Sequence, residues 1–284
     1  IKYFFQFIII FLLFIIFKTL GLKISSKLSC FLFKIIGPLF RSKKLIKKNI
    51  LKAFPNINSN DLKKISSNMW GNYGRILAEY VFLKDYRKSI HFNSVKIIGQ
   101  EILDKIKNNK RPVIFVSGHF NNFELMAMHI EKSGIDLATI YRPLNNKFLN
   151  IIMEKIRKKY ICKNQIKKGL AGTRELLSHF KNNHSIALMI DQRVSQGIRS
   201  KFFDREAYTT TIPAQFVKKF NCNIVPIYIE RINNNNNFRL TISDPIQYSN
   251  NDTVEDITLN LNLILEKMIL KNPDQWIWSH NRWK

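Results

Sequence analysis

The chain has 284 residues, 45% of them hydrophobic and 12% aromatic, which excludes an intrinsically disordered protein and leaves ample material for one large core. Its 46 Lys and Arg against 20 Asp and Glu give a formal net charge of +26, so the partners it favours are anionic: nucleic acid, anionic lipid, a phosphorylated glycolipid or an acidic carrier protein. Cys30, Cys162 and Cys222 are scattered, with no C-x-x-C and no His at ligand spacing, so neither a disulfide framework nor a metal site is supported.

The first element, Tyr3 to Leu22, is apolar except for Gln6, Lys18 and Thr19, and a helix of about 20 such residues crosses a bilayer core. Lys18 lies near its end, where a long cation snorkels to the interface. No small-residue cleavage site follows, so residues 1–22 are expected to be an uncleaved, single-pass transmembrane anchor. The chain opens on Ile rather than Met, which leaves its true start open. Beyond the anchor, Lys23, Lys27, Lys34, Arg41, Lys43, Lys44, Lys47, Lys48 and Lys52 alternate with Leu28, Phe31, Phe33, Ile36, Leu39 and Phe40. That pattern predicts basic amphipathic helices at a membrane surface over residues 23–90, ahead of an α/β core over 91–284. By the positive-inside rule, residues 23–284 are expected on the cytoplasmic side. Lys, Ile and Asn are abundant throughout, so the location of the basic cluster says more than the total charge.

Val113 to Val116 follow Pro112 as a short, branched, uncharged run and read as a buried strand. Gly118 lets the chain turn, and Phe123, Leu125, Met126, Met128 and Ile130 then recur at helical spacing, so a helix is expected to begin near Asn121 or Asn122. Further strands are expected at Asp136 to Tyr141, Ser185 to Ile190, Ile224 to Glu230 and Phe238 to Ser243. Helices are expected at Lys147 to Lys159, Gly172 to Lys181, Ile212 to Phe220 and Val254 to Leu270. This alternation predicts an α/β fold with a mixed, mostly parallel central sheet flanked by helices. The Asn233–Asn237 run reads as a hairpin turn that makes the last two strands antiparallel. There is no Walker A loop, no G-x-G-x-x-G and no internal repeat.

His119 falls in the corner between the first of these strands and its helix, with Glu124 five residues on. Five residues of helix rotate a side chain by about 140°, so the two could meet only if His119 lies before the first turn. Glu124 at the positive end of the helix stays ionised. A carboxylate on one imidazole nitrogen fixes the tautomer and stabilises the imidazolium formed when the other takes a proton. The plainer reading is a loop histidine and an exposed helix glutamate. Two more strand ends carry polar residues, Tyr141-Arg142-Pro143 and Asp191-Gln192-Arg193, and open α/β sheets place ligands at such ends. Each alone is an ordinary cap or solvated cation; together with His119 they point to a shared site.

The ordered motifs of the chain are similar to those of the lipid A late acyltransferases, the lauroyl and myristoyl transferases of Gram-negative bacteria. They run from Asn49-Ile50-Leu51-Lys52-Ala53-Phe54-Pro55 and Met69-Trp70-Gly71-Asn72-Tyr73-Gly74-Arg75 with Glu79, through Ser117-Gly118-His119 to Glu124, Tyr141-Arg142-Pro143 and Asp191-Gln192. Phe202-Phe203 with Thr210 and the terminal stretch Pro273 to Lys284 complete the resemblance, which covers nearly the whole chain. It implies transfer of a fatty acyl chain from acyl carrier protein to a hydroxyl of a lipid A precursor, with His119 and Glu124 catalytic, His119 as the base and Glu124 orienting it. It also implies an acyltransferase-like fold, a place in the bacterial inner membrane, and neither metal nor other cofactor. Arg142, Arg157, Asp191 and Gln192 are implied to bind substrate. Arg157 would stabilise an oxyanion or bind a phosphate or acidic sugar, or else be a solvated helix residue; Asp191 would hold that Arg or an acceptor hydroxyl.

The chain departs from the family pattern at Asn121, where Gly is expected, at Phe123, where Trp is expected, and at Asn281, where Arg is usual. The first two are expected to reshape the acyl or acceptor pocket, and the third to remove an anion contact. A glycerophospholipid or mannosylated lipid is the alternative acceptor, although relatives acting on these carry Asp in place of Glu124. A non-catalytic basic membrane-surface protein has no need of the ordered motifs. Nucleic-acid binding is disfavoured by the anchor and by the lack of a helix-turn-helix or RNP pattern.

Overall fold

The computed structural model describes residues 1–90, 94–233 and 235–284. Helix α1, Lys2–Ile36, is the one described helix long and apolar enough, by length and composition, to cross a membrane. Gly21 breaks it with a φ of 76°, so the expected anchor boundary at residue 22 falls at a kink inside a longer helix. Past the kink, Ser25, Ser26 and Ser29 are buried against α3, Ser59–Glu79. Only small residues allow that approach: Ser29 Oγ donates to the Gly74 carbonyl at 2.7 Å, and a Cβ on Gly74 would lie 2.1 Å from the Ser29 oxygen. Between them, α2, Lys43–Ala53, is capped by Ser42, whose hydroxyl accepts from Leu45 N. It buries Ile46, Asn49 and Ile50 while its lysines 43, 44, 47 and 48 stay exposed. A short α4, Leu83–Arg87, ends the helical region. The expected division at residue 91 lies outside the described residues.

The core is a seven-stranded sheet of β1 Val95–Ile98, β2 Ile114–Ser117, β3 Leu137–Tyr141, β4 Asn164–Lys167, β5 Ser185–Met189, β8 Ile224–Ile232 and β9 Asn237–Ile242. A separate hairpin is formed by β6 Ile198–Phe202 and β7 Arg205–Thr209. The sheet order is β1-β9-β8-β2-β5-β3-β4, parallel at every pairing except β8 with β9, so it is mixed and mostly parallel as the alternation of elements predicts. Central β2 is wholly buried, which explains its unbroken apolar run. The helices α5 Gln100–Asn109, α6 Glu124–Lys132, α7 Lys147–Ile156 and α8 Leu170–Lys181 follow β1 to β4 in turn, α9 Ile212–Phe220 follows β7 and α10 Val254–Lys271 follows β9. The β8–β9 turn contains Asn234, which lies outside the described residues.

Four strands were not expected from the sequence. β4, Asn-Gln-Ile-Lys, buries only Ile166, and β1 is a four-residue edge strand with Lys96 exposed. β6 and β7 are charge-rich, and their turn places Phe203 and Asp204 at positive φ (50° and 55°), a conformation ordinarily signalled by Gly or Asn.

Candidate active site

Sheet register builds the site. In the β2–β5 pair Ser117 lies beside Met189, so His119 and Asp191, each two residues further on, emerge side by side at the carboxyl ends of adjacent strands. His119 Nδ1 is 2.8 Å from Asp191 Oδ1, and the His119 backbone N–H donates to Asp191 Oδ2 at 2.7 Å. The Trp276 indole Nε1 donates to the same Oδ2 at 2.9 Å. Gly118 makes the approach possible, because a Cβ there would meet Phe120 and the Asp191 carboxylate. Asp191 is fully buried, whereas the His119 side chain keeps 21% of its surface exposed. Its Nε2 lies 3.5 Å from the Gln192 carboxamide, and its ring packs edge-on against Phe123 with centroids 4.9 Å apart.

Burial pushes the Asp191 carboxyl up, but the His119 charge and its hydrogen bonds, with that from Trp276, more than reverse this and hold it at about 2. Burial likewise pulls His119 down. The charge and hydrogen bond of Asp191, with a lesser contribution from Glu124, overcome it and leave the imidazole above its ordinary value. A histidine held by a carboxylate through Nδ1, with Nε2 not engaged by that carboxylate, is an imidazole set to accept a proton from an incoming group.

Glu124 is the first residue of α6, at the helix start where the sequence pattern puts it. It does not hydrogen-bond to His119, contrary to the sequence expectation. Its Oε1 accepts instead from Arg157 Nε at 2.8 Å, from Arg157 Nη2 at 2.6 Å and from the Tyr80 hydroxyl, while Arg157 Nη2 also donates to Tyr80 Oη at 3.1 Å. His119 lies before the first turn of α6, but the Glu124 carboxylate is taken up by Arg157 and Tyr80, and β5 brings Asp191 into the position expected for Glu124. Arg157 opens a π-helical turn, Arg157–Ile161, at the end of α7. Burial lowers its pKa, but Glu124 and Tyr80 raise it further, so it is a paired cation rather than a solvated one.

Six expected residues therefore divide three ways. His119, Asp191 and Gln192 meet, Glu124 and Arg157 form a neighbouring pair that acts on His119 through its charge, and Arg142 is exposed beyond β3, apart from both groups. Asp191 does not bind Arg157, which is held by Glu124; its oxygens accept from His119 and Trp276. Tyr80 and Trp276 were given no role from the sequence. Trp276 lies within the terminal motif Pro273 to Lys284, and Tyr80 directly follows Glu79.

Asn121 has a φ of 43°, the left-handed region that favours Gly and admits Asn. Its backbone N–H donates to the Gln275 carbonyl at 3.0 Å and its Nδ2 to Gln275 Oε1 at 2.7 Å. Underneath, Asn122 donates to Glu79, which forms a fully buried pair with Arg231 (Nη1 to Oε1, 2.6 Å). Asn281 is half-buried, and the adjacent Arg282 is a buried structural residue bound to Tyr208 O, Thr209 Oγ1 and Asn262 Oδ1.

Beside His119 lies a small, partly open apolar cleft between α3 and the C-terminal segment, walled by Met69, Ile76, Phe123, Trp276 and Ile277. Among the described residues no cluster of three or more His, Cys, Asp or Glu has metal-site geometry.

The profile of the family described as bacterial lipid A biosynthesis acyltransferase matches residues 1–284. The lipid A biosynthesis lauroyltransferase of Escherichia coli (strain K12) is 23% identical over 251 residues, covering 86% of this chain and 79% of its own. The lipid A biosynthesis palmitoleoyltransferase of the same organism is 24% identical over 276 residues, covering 93% and 88%. Among solved structures, the 1-acyl-sn-glycerophosphate acyltransferase of Thermotoga maritima aligns with a TM-score of 0.44 and 14% identity, over 90% of this chain and 100% of that one.

Proposed function

The chain belongs to the bacterial lipid A biosynthesis acyltransferase family, and from that premise we propose that it transfers a fatty acyl chain from acyl carrier protein to a hydroxyl of a lipid A precursor, with His119 as the base. The enzyme is an acyltransferase of lipid A biosynthesis and a membrane protein. The observation that supports the mechanism is the 2.8 Å contact of Asp191 with His119 Nδ1, which leaves Nε2 for a substrate on a residue that lines the cleft. Nε2 takes the proton of the acceptor hydroxyl as its oxygen attacks the thioester carbonyl. The tetrahedral adduct then collapses, the ester forms, the C–S bond breaks, and the imidazolium returns the proton to the departing thiol. General-base assistance of this kind is worth roughly 10²–10⁴-fold in rate.

Asp191 holds the tautomer and balances the imidazolium, a role the sequence reading gave to Glu124. Glu124 adds negative charge near the ring and is itself held by Arg157 and Tyr80. The apolar walls of the cleft suit a fatty acyl chain, and the hydrophobic α1 suits anchorage in the inner membrane. The lysines that follow α1 favour a cytoplasmic domain, where an acidic carrier protein is available to a chain of this charge.

The test is an assay of membranes containing the full chain, with labelled lipid A precursor and acyl carrier proteins loaded with acyl groups of several lengths. A gain in acceptor mass equal to one acyl group is expected. Acylation of a glycerophosphate acceptor instead would reassign the acceptor, and no mass gain on any acceptor would remove the enzymatic reading. His119→Ala is expected to lose at least 10²-fold in turnover while remaining in the membrane fraction.

A further inference from the structure

The first half of α1 turns Phe7, Ile10, Phe14 and Phe17 towards the domain and leaves Phe5, Ile9, Leu12 and Ile16 outside, each at least 48% exposed. An apolar face of this size without a protein partner marks an interaction surface. It does not stop at α1. On α7, Phe148 and Ile151 are 46% and 56% exposed and three residues apart, so they share one helix face; Leu144 precedes them at 39%. The Phe148 ring lies against both Phe4 and Phe7, with centroids 5.7 and 5.8 Å apart. Asn146, which caps α7 through Phe148 N and Leu149 N, also donates from Nδ2 to the Tyr3 carbonyl at 2.8 Å.

We propose that α7 is a second lipid-contacting element, which presents Leu144, Phe148 and Ile151 to bilayer hydrocarbon beside the first turns of α1. The occupant is lipid because the patch is continuous with the outer face of the first half of α1, where Phe5, Ile9, Leu12 and Ile16 are exposed on the one described helix apolar and long enough to cross a membrane. At ten residues α7 is about 15 Å long, too short to cross a bilayer by itself, so it meets lipid with one face only. Its flanking Lys147 and Lys155 are exposed and reach the headgroups with their ammonium ends. The hydrogen bond from Asn146 to Tyr3 ties the depth of α7 to that of the α1 terminus. Because α7 runs directly into Arg157, the partner of Glu124, the lipid surface leads to the edge of the active site.

The test uses the full chain in vesicles of phosphatidylethanolamine and phosphatidylglycerol, with a fluorescent amino acid introduced by codon suppression at Ile151. The same label is placed at Phe5 as a lipid reference and at exposed Lys181 as an aqueous one. Lipid-borne bromine is expected to quench the label at Ile151 severalfold more than that at Lys181, and as strongly as that at Phe5; Leu144 provides a second position with the same expectation. Quenching at Ile151 by aqueous iodide, as at Lys181, would overturn the proposal. Protection from both quenchers would also overturn it, because a second copy of the chain would then cover the face.

Discussion

Trp276 and Asp191, 85 residues apart, are joined by an indole N–H that donates to Oδ2 at 2.9 Å. With the His119 backbone N–H on the same oxygen and the imidazole on the other, the buried carboxylate has three partners. The chain's last segment therefore completes a site that begins at β2. Neighbouring contacts fasten the same segment: Gln275 to Asn121, Ser279 to Tyr73, and the carbonyls of Trp278 and His280 to Asn49 Nδ2. The motifs around Asn49 and Pro273 are thus parts of one support for Asp191.

Replacing Trp276 by Phe keeps an aromatic wall but removes the donor. A hydrogen bond to a charged group contributes about 1.5–3 kcal/mol, so Trp276→Phe is expected to lose roughly 10- to 100-fold in kcat through a loosened Asp191, with little change in KM. A rise in KM at unchanged kcat would mean that Trp276 serves the cleft and not the carboxylate.

Asp191 also sets the acid limit of activity. The base works only when neutral, so activity falls as pH drops through the His119 pKa, which burial lowers but Asp191 raises above its ordinary value. Asp191→Asn removes the raising charge and leaves burial to act. The acid limb of kcat/KM is therefore expected to move to lower pH, while the plateau falls roughly 10²-fold or more. An unmoved limb would separate Asp191 from the base.

His119, its corner and the start of α6 were legible because strand, Gly and helix follow in sequence and each has a local signature. The identity of its carboxylate partner was not. Glu124 is five residues away and Asp191 is 72, and only the pairing of Ser117 with Met189 decides between them. The same holds for the Arg157–Tyr80 contact, which joins a π-helical turn to the end of α3 across 77 residues. The β6–β7 hairpin escaped for a local reason, since Phe203 and Asp204 occupy a turn conformation that their residue types disguise.

The Glu124–Arg157 pair is nearly dry, with 8% and 14% of the side chains exposed. Removing one partner of a buried pair costs about 3–5 kcal/mol because the other charge is stranded. Glu124→Gln and Arg157→Met are each expected to destabilise on that scale. The double variant should recover much of the stability while acyl transfer stays below wild type, because the Glu124 charge that helps to raise the His119 pKa remains absent. Recovery of turnover in the double variant would make the pair a structural brace alone.

Asn121 offers a separate test of the corner, at a position where the family resemblance leads one to expect Gly. Its φ of 43° excludes β-branched residues, while its side chain ties the corner to Gln275. Asn121→Gly relieves the backbone and forfeits one hydrogen bond, two effects of about 1 kcal/mol each that offset one another. Asn121→Val forfeits the bond and adds about 1–3 kcal/mol of backbone strain. Denaturant midpoints of the detergent-solubilised chain are therefore expected to be nearly equal for wild type and the Gly variant, and clearly lower for Val. Equal midpoints for Gly and Val would show that the corner relaxes out of the left-handed conformation. His119, two residues away, would then owe its position to Asp191 alone.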